Sequence, residues 1–211
     1  MTVTYLVGSG AFVDALVAGL RALGHLVALG DVESLANAEE RVDLVVHVPA
    51  VPSGPTHLVD LTPEAWAAAG EAPLHEAVAV ARAAHPLLAR DDADATPGRL
   101  AWIVPTTTLG GAAGFVASGA ACEGIRALAK GTAKQWGTDG VVTTVVAVAP
   151  EAFFAAGAGP HSEGSLSGPA LGRTGEPEAD LAPLLDLLVD PRAAFSTGGT
   201  LVADGGTWMA P

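Results

Sequence analysis

Two nearly unbroken apolar runs, VDLVVHV (42–48) and VVTTVVAV (141–148), constrain this chain more than any other feature. A strand with one wet face alternates apolar and polar residues. A run with almost no alternation reads as a strand buried on both faces, which is the situation in a parallel sheet covered by helices on each side. The stretches 2–7, HLVAL (25–29), LAWIV (100–104) and TLVAD (200–204) read as further strands. Between them, residues 11–23 carry Phe12, Leu16, Leu20 and Leu23 at helical spacing, and Gly24 supplies a helix stop. Further helical patterns cover 63–70, 73–91 with Pro86 near its end, 115–136 and 178–188. Strand and helix alternate throughout, so the expected architecture is a doubly wound parallel α/β sheet. No linker divides the chain and no internal repeat appears, so residues 1–211 are read as one domain.

Bulk properties exclude several functions. A net charge of −13 argues against a nucleic-acid partner and against an anionic membrane surface. Cys122 is the only cysteine, so no intrachain disulfide forms. The start MTVTYLVGSG lacks a basic leader, and the apolar runs are broken before spanning length, so a cytoplasmic location is expected. The 26 glycines follow no three-residue period. No H-x-x-x-H, CxxC or carboxylate cluster points to a metal.

After the first strand stands Gly8-Ser9-Gly10-Ala11-Phe12-Val13. A dinucleotide site wants glycines here, for a tight turn and for close backbone approach to a pyrophosphate. Two of the three are present, and Val13 holds the third place. A β-branched residue there is expected to push helix and strand apart or to take phosphate space. Gly8, Ser9 and Gly10 are therefore candidate cofactor-binding residues of a damaged loop. Asp31, after the second strand, is a candidate acceptor for an adenine ribose. Between that strand and VDLVVHV, the residues DVESLANAEER leave room for one short helix only.

The carboxyl third, LGRTGEPEADLAPLLDLLVD followed by STGGTLVADGGTWM, resembles the ending of short-chain dehydrogenase/reductases, particularly those similar to bacterial 3-oxoacyl-carrier-protein reductases. GRLAWIV matches the strand before the family's serine, and FVASGAACEGIRALAKGTAKQWG matches the helix that opens with Tyr-x-x-x-Lys. VDLVVHVPA and VVAVAPE stand where the family has strands ending in Asn-Asn-Ala-Gly and Pro-Gly. The resemblance implies a Rossmann-like fold, shortened between the second strand and the strand at 42–48, and hydride transfer with NAD or NADP. It also implies the positions of the four catalytic groups. The tyrosine falls on Phe115, the lysine on Gly119, the asparagine on Pro73, and the serine on Pro105 or Thr106. Phe115 keeps the ring and drops the hydroxyl, so it moves no proton. Gly119 removes the charge, and Pro73 has no side-chain amide. Sliding the helix by three places puts Ser118 and Cys122 on the two key positions, which restores nothing. The halohydrin dehalogenases, a related branch, keep the tyrosine that is missing here.

Other groups that bear on chemistry are Thr107, His47 at the end of the third strand, the adjacent His75 and Glu76, and His161 with Glu163 in the loop-like stretch 156–169. That stretch is expected to be a mobile loop over the carboxyl edge of the sheet. The helices at 73–91 and 115–136 are rich in small residues, and in the resembling family such helices pair between subunits. The tail TWMAP offers a second contact. Two readings follow. The first is a non-catalytic subunit without a cofactor, which pairs with itself or with an active reductase. The alternative is an enzyme, either a ketoreductase using NAD or NADP or a non-redox catalyst built on Thr106, Thr107 or His47.

Overall fold

The computed structural model describes residues 1–52, 54–92, 95–154 and 168–209. Six parallel strands form one sheet: β1 (Val3–Val7), β2 (Leu26–Gly30), β3 (Leu44–His47), β4 (Gly98–Pro105), β5 (Val141–Val148) and β6 (Thr200–Ala203). Their order is β2-β1-β3-β4-β5-β6. The chain steps from β1 outward to β2 and then returns to β3 on the other side of β1. That reversal opens a crevice at the carboxyl ends of β1 and β3, where ligands bind in sheets of this type.

Helices cover both faces. On one side, α4 (Ala72–Leu88) and α6 (Val116–Trp136) lay Ala77, Val80, Ala84, Cys122, Ile125 and Ala129 over Val45, Leu100, Trp102 and Val145. On the other, α1 (Ala11–Ala22) and α8 (Ala182–Val189) lay Val13, Leu16, Leu20, Leu185 and Leu188 over Leu6, Leu44, Val46, Ile103 and Val146. Leu44, Val45 and Val46 thus alternate between two buried cores, and both clusters consist largely of apolar side chains fully removed from water. The unbroken apolar runs follow from this arrangement.

The return from β2 is short. Asp31 caps α2 (Val32–Ala36): its side chain accepts from the Ser34 amide, and the Ser34 hydroxyl accepts from the Asp31 amide. Among the described residues no strand lies outside β2, so it forms the sheet edge, with Leu26 and Leu29 each about half exposed.

Two helices differ from the sequence reading for one reason. The segments 63–70 and 73–91 are a single helical run. It opens as α3 (Pro63–Trp66), widens into a π turn over Ala67–Glu71 and continues as α4. Pro73 follows the π turn by two residues and lacks the amide that would bond back to Ala69. The wider turn gives its ring room and keeps the helix going. The same device recurs before α8, where a π turn at Pro177–Leu181 precedes Pro183. α4 ends at Leu88 rather than at 91, because Ala89 turns extended and the Arg90 guanidinium takes the carbonyls of Leu87, Leu88 and Ala89.

Short helices α5 (Thr107–Gly110) and α7 (Pro150–Phe153) follow β4 and β5 directly. After β6, the buried carboxylate of Asp204 accepts the amides of Gly206, Thr207 and Trp208 and closes the final turn. Most of the loop 156–169, with His161 and Glu163, and the last two residues of TWMAP lie outside the described residues.

Candidate functional site

A cavity of about 670 Å³ lies in the crevice at the strand-order reversal. Its floor is the turn Gly8-Ser9-Gly10 at the head of α1. Its walls include Asp31, Glu76 and Glu176, and three rings, Phe12, Phe153 and Phe154. The rings form a chain: Phe12 and Phe153 centroids lie 5.4 Å apart and Phe153 and Phe154 5.1 Å apart. Among the described residues no Lys, Arg or His lines this space.

Gly8 and Gly10 both hold positive φ, at 149° and 96°, and an added Cβ at Gly8 would sit 3.0 Å from the Val48 carbonyl oxygen. Glycine is needed here for the turn itself. Val13 corrects an expectation. It does not intrude on the crevice but is fully buried in the core beneath the turn, packed with Leu6, Leu16 and Val46. Asp31 reaches the crevice while its carboxylate remains committed to α2. Hydrogen bonds from the Ser34 hydroxyl and amide hold it below the usual carboxylate range.

A second cavity, about 250 Å³, lies at the head of α6, lined by Pro105, Thr107, Thr108, Phe115, Ser118, Gly119 and Glu123 among others. Phe115 caps the helix and is buried, and it separates this space from a third of about 210 Å³. Nothing stands within 4 Å of a Cβ built at Gly119, so the absent side chain leaves open room. The Ser118 hydroxyl is donated to the Phe115 carbonyl at 3.2 Å, and that of Thr108 to the Pro105 carbonyl at 3.0 Å. Thr106 is buried and lines none of these cavities, and Pro73 is buried inside α4. Burial pushes the Cys122 thiol up to about 12, so it is not a nucleophile near neutral pH.

His47 stands at the carboxyl end of β3, as its place in the sequence suggests, but it is fully buried and lines none of these three cavities. Neither ring nitrogen has a hydrogen-bond partner. Its Nε2 lies 3.4 Å from Oε2 of Glu76, whose carboxylate is at the crevice wall. In register beside it is Trp102, whose indole N–H is also unpaired. The sequence offered Glu76 only as a neighbour of His75, which is exposed on α4. The His47–Glu76 pair spans a strand and a helix, and no local spacing announces it.

A dinucleotide can be tested against this site. The glycine turn would admit a close phosphate, and Asp31 would suit a ribose hydroxyl. Glu76 and Glu176 add negative charge to this wall with no Lys or Arg among the described lining residues, so a phosphate there would depend on the amides of the glycine turn and the head of α1. The backbone outline of a dinucleotide turn is retained, and the titratable side chains around it among the described residues are acidic.

The chain matches the family described as enoyl-(acyl carrier protein) reductase over residues 30–207. No curated protein sequence matches it. Among solved structures it is similar to 3-ketoacyl-(acyl-carrier-protein) reductase from Brucella melitensis complexed with NADH, at 16% identity and TM-score 0.76, covering 99% of this chain and 98% of the other. BdcA in complex with NADPH is similar at 20% identity and TM-score 0.74, with 97% and 93% covered. Halohydrin dehalogenase HheC bound to ethyl (2S)-oxiran-2-ylacetate is similar at 18% identity and TM-score 0.77, with 99% and 98% covered. The match over most of the chain, on a parallel sheet of this order, places the protein in the short-chain dehydrogenase/reductase family, in its enoyl-(acyl carrier protein) reductase group.

Proposed function

We propose that this protein is a catalytically silent member of its family that acts as a subunit, pairing with a second copy or with an active reductase. One observation carries the reading. The cavity at the head of α6 presents a phenyl ring at Phe115 and empty space at Gly119, and the only titratable side chain lining it among the described residues is Glu123. Ketone reduction needs a proton donor beside the carbonyl as hydride arrives. The nearby Ser118 and Thr108 hydroxyls are turned onto backbone carbonyls.

Support for the assembly comes from α6. Val116, Ala120, Ala127 and Gly131 fall on one exposed stripe of that helix, interleaved with Glu123, Lys130 and Lys134, and the small residues would let a partner helix approach while the charges are positioned to pair across it. The alternative of a nicotinamide-dependent reductase is favoured by the retained glycine turn, and by NADH and NADPH in the similar structures. The acidic crevice opposes it.

The test has two parts. The purified chain, given NADPH and a 3-oxoacyl thioester, should show no oxidation of the reduced nicotinamide above background. Co-expressed with a relative from its own host that retains Tyr and Lys, it should elute with that relative as one species. Ala127→Arg should abolish this co-elution while leaving the thermal unfolding midpoint of the free chain unchanged. Turnover by the chain alone would refute the proposal, and so would failure to form either a homo- or a hetero-oligomer.

A further inference from the structure

The crevice has an unusual balance of charge for its place in the fold. Three carboxylates, Asp31, Glu76 and Glu176, line it with no Lys, Arg or His among the described lining residues, and Arg173, which interacts with Glu176, is itself paired with Asp180. Asp31 is held by Ser34, but Glu76 and Glu176 accept no hydrogen bond and form no ion pair with a Lys or Arg among the described residues. Carboxylates on a protein of net charge −13 raise the local concentration of cations. The first amides of α1 favour an anion, but their partial charge is confined to one helix turn.

A second, independent observation comes from behind the wall. His47 is completely removed from water, neither ring nitrogen makes a hydrogen bond, and its Nε2 lies 3.4 Å from Oε2 of Glu76. A buried polar group without a partner is costly and is rarely left so without a role. A small inward movement of Glu76 would let the ring N–H donate to one carboxylate oxygen, leaving the other directed at the cavity.

The third observation is the aromatic wall. Phe12, Phe153 and Phe154 all face the cavity, and they form one continuous chain of rings. Ring faces attract cations, most strongly where water is excluded. A metal ion is the poorer occupant, because among the described residues no three His, Cys, Asp or Glu side chains are close enough to share one. A cation with an apolar body matches both the carboxylates and the rings.

We propose that the crevice outside β1 and β3 binds a monovalent organic cation, an alkylammonium group on a small apolar body. Glu76 and Glu176 supply the charge, Phe12, Phe153 and Phe154 form the wall, and His47 acts as a positioning residue behind Glu76. The inference does not depend on the assembly proposed above, since a silent subunit and a solitary protein could both carry such a site.

The probe is choline, with 3,3-dimethyl-1-butanol as its uncharged isostere, each titrated calorimetrically into the full chain. Choline should bind saturably and at least about tenfold more tightly than the isostere, a difference of about 1.4 kcal/mol. NADH should show no saturable heat. Glu76→Gln should weaken choline binding by about fivefold or more and leave the isostere unchanged. Glu176→Gln, at an exposed position, should act in the same direction and serves if the Glu76 variant does not fold. His47→Gln, which keeps a side-chain N–H, should bind more nearly like the parent than His47→Leu, and the difference should appear with choline alone. Equal binding of choline and its isostere would overturn the proposal by showing an apolar pocket only. Tighter binding of NADH than of choline, no heat with choline, or parental choline affinity in both glutamine variants would each overturn it as well.

Discussion

At single positions, what decides an outcome is the space a side chain would meet. Gly19 and Gly119 are both helical glycines, and the sequence cannot tell them apart. A Cβ at Gly19 would stand 2.6 Å from Cβ of Ala182 and from the Glu178 carbonyl oxygen, whereas one at Gly119 would meet nothing within 4 Å. Gly19→Ala should therefore destabilise the protein by about 1–3 kcal/mol through overpacking. Gly119→Ala should stabilise it by about 0.5–1 kcal/mol, because alanine loses less backbone entropy in a helix. Thermal unfolding of both variants checks the opposite signs. Cys122 gives a pH-dependent counterpart. Its thiol ordinarily ionises near 9.0 but only near about 12 in the folded chain. The unfolded state then releases a proton first, so this residue's contribution to stability is complete below pH 9 and declines as pH rises from there towards 12. A thiol reagent at pH 8 should label Cys122 only as fast as the protein unfolds.

At the scale of elements, ends and turns carry the specificity. The turn after β6 is organised by one carboxylate, Asp204, buried and accepting three backbone amides. Asp204→Ala leaves those donors without an acceptor and should cost about 3 kcal/mol, read as a lower unfolding midpoint in urea. Before α8, the Arg173 guanidinium and the Glu176 amide hold Asp180 at about 2, against an ordinary value of 3.8. Its folded value is depressed, so its contribution is present above about pH 4 and is lost as pH falls through 2. Arg173→Gln should shift acid unfolding to higher pH, by a small amount because the pair is exposed to solvent. The two π turns were invisible in the apolar pattern. Only the placing of Pro73 and Pro183 two residues beyond each turn explains them, and that relation shows once the helix is seen to run on.

Across the whole molecule, the sheet order and the missing outer strand set what the protein can do. β2 is an uncovered edge with exposed Leu26 and Leu29, since the short stretch that holds α2 provides no further strand. Leu29→Lys should leave the unfolding midpoint nearly unchanged and reduce association at high concentration, because an inserted charge blunts edge pairing. The same topology places the glycine turn, Asp31 and Glu76 around one crevice, although Glu76 lies 68 positions beyond Gly8 in the chain.

The amino-acid sequence alone determined the strand and helix alternation, the parallel sheet, the shortened return after β2, and the lack of tyrosine and lysine at the head of α6. These are local matters: periodicity of two or of 3.6, a count of residues between strands, and the chemical identity of single side chains. Only the tertiary structure decided that Val13 sits harmlessly in the core, that Thr106 turns away from the cavities, and that His47 is buried against Glu76. Those facts depend on which face of an element meets which neighbour. Parallel strands joined through helices bring together residues tens of positions apart, and no spacing along the chain encodes that meeting.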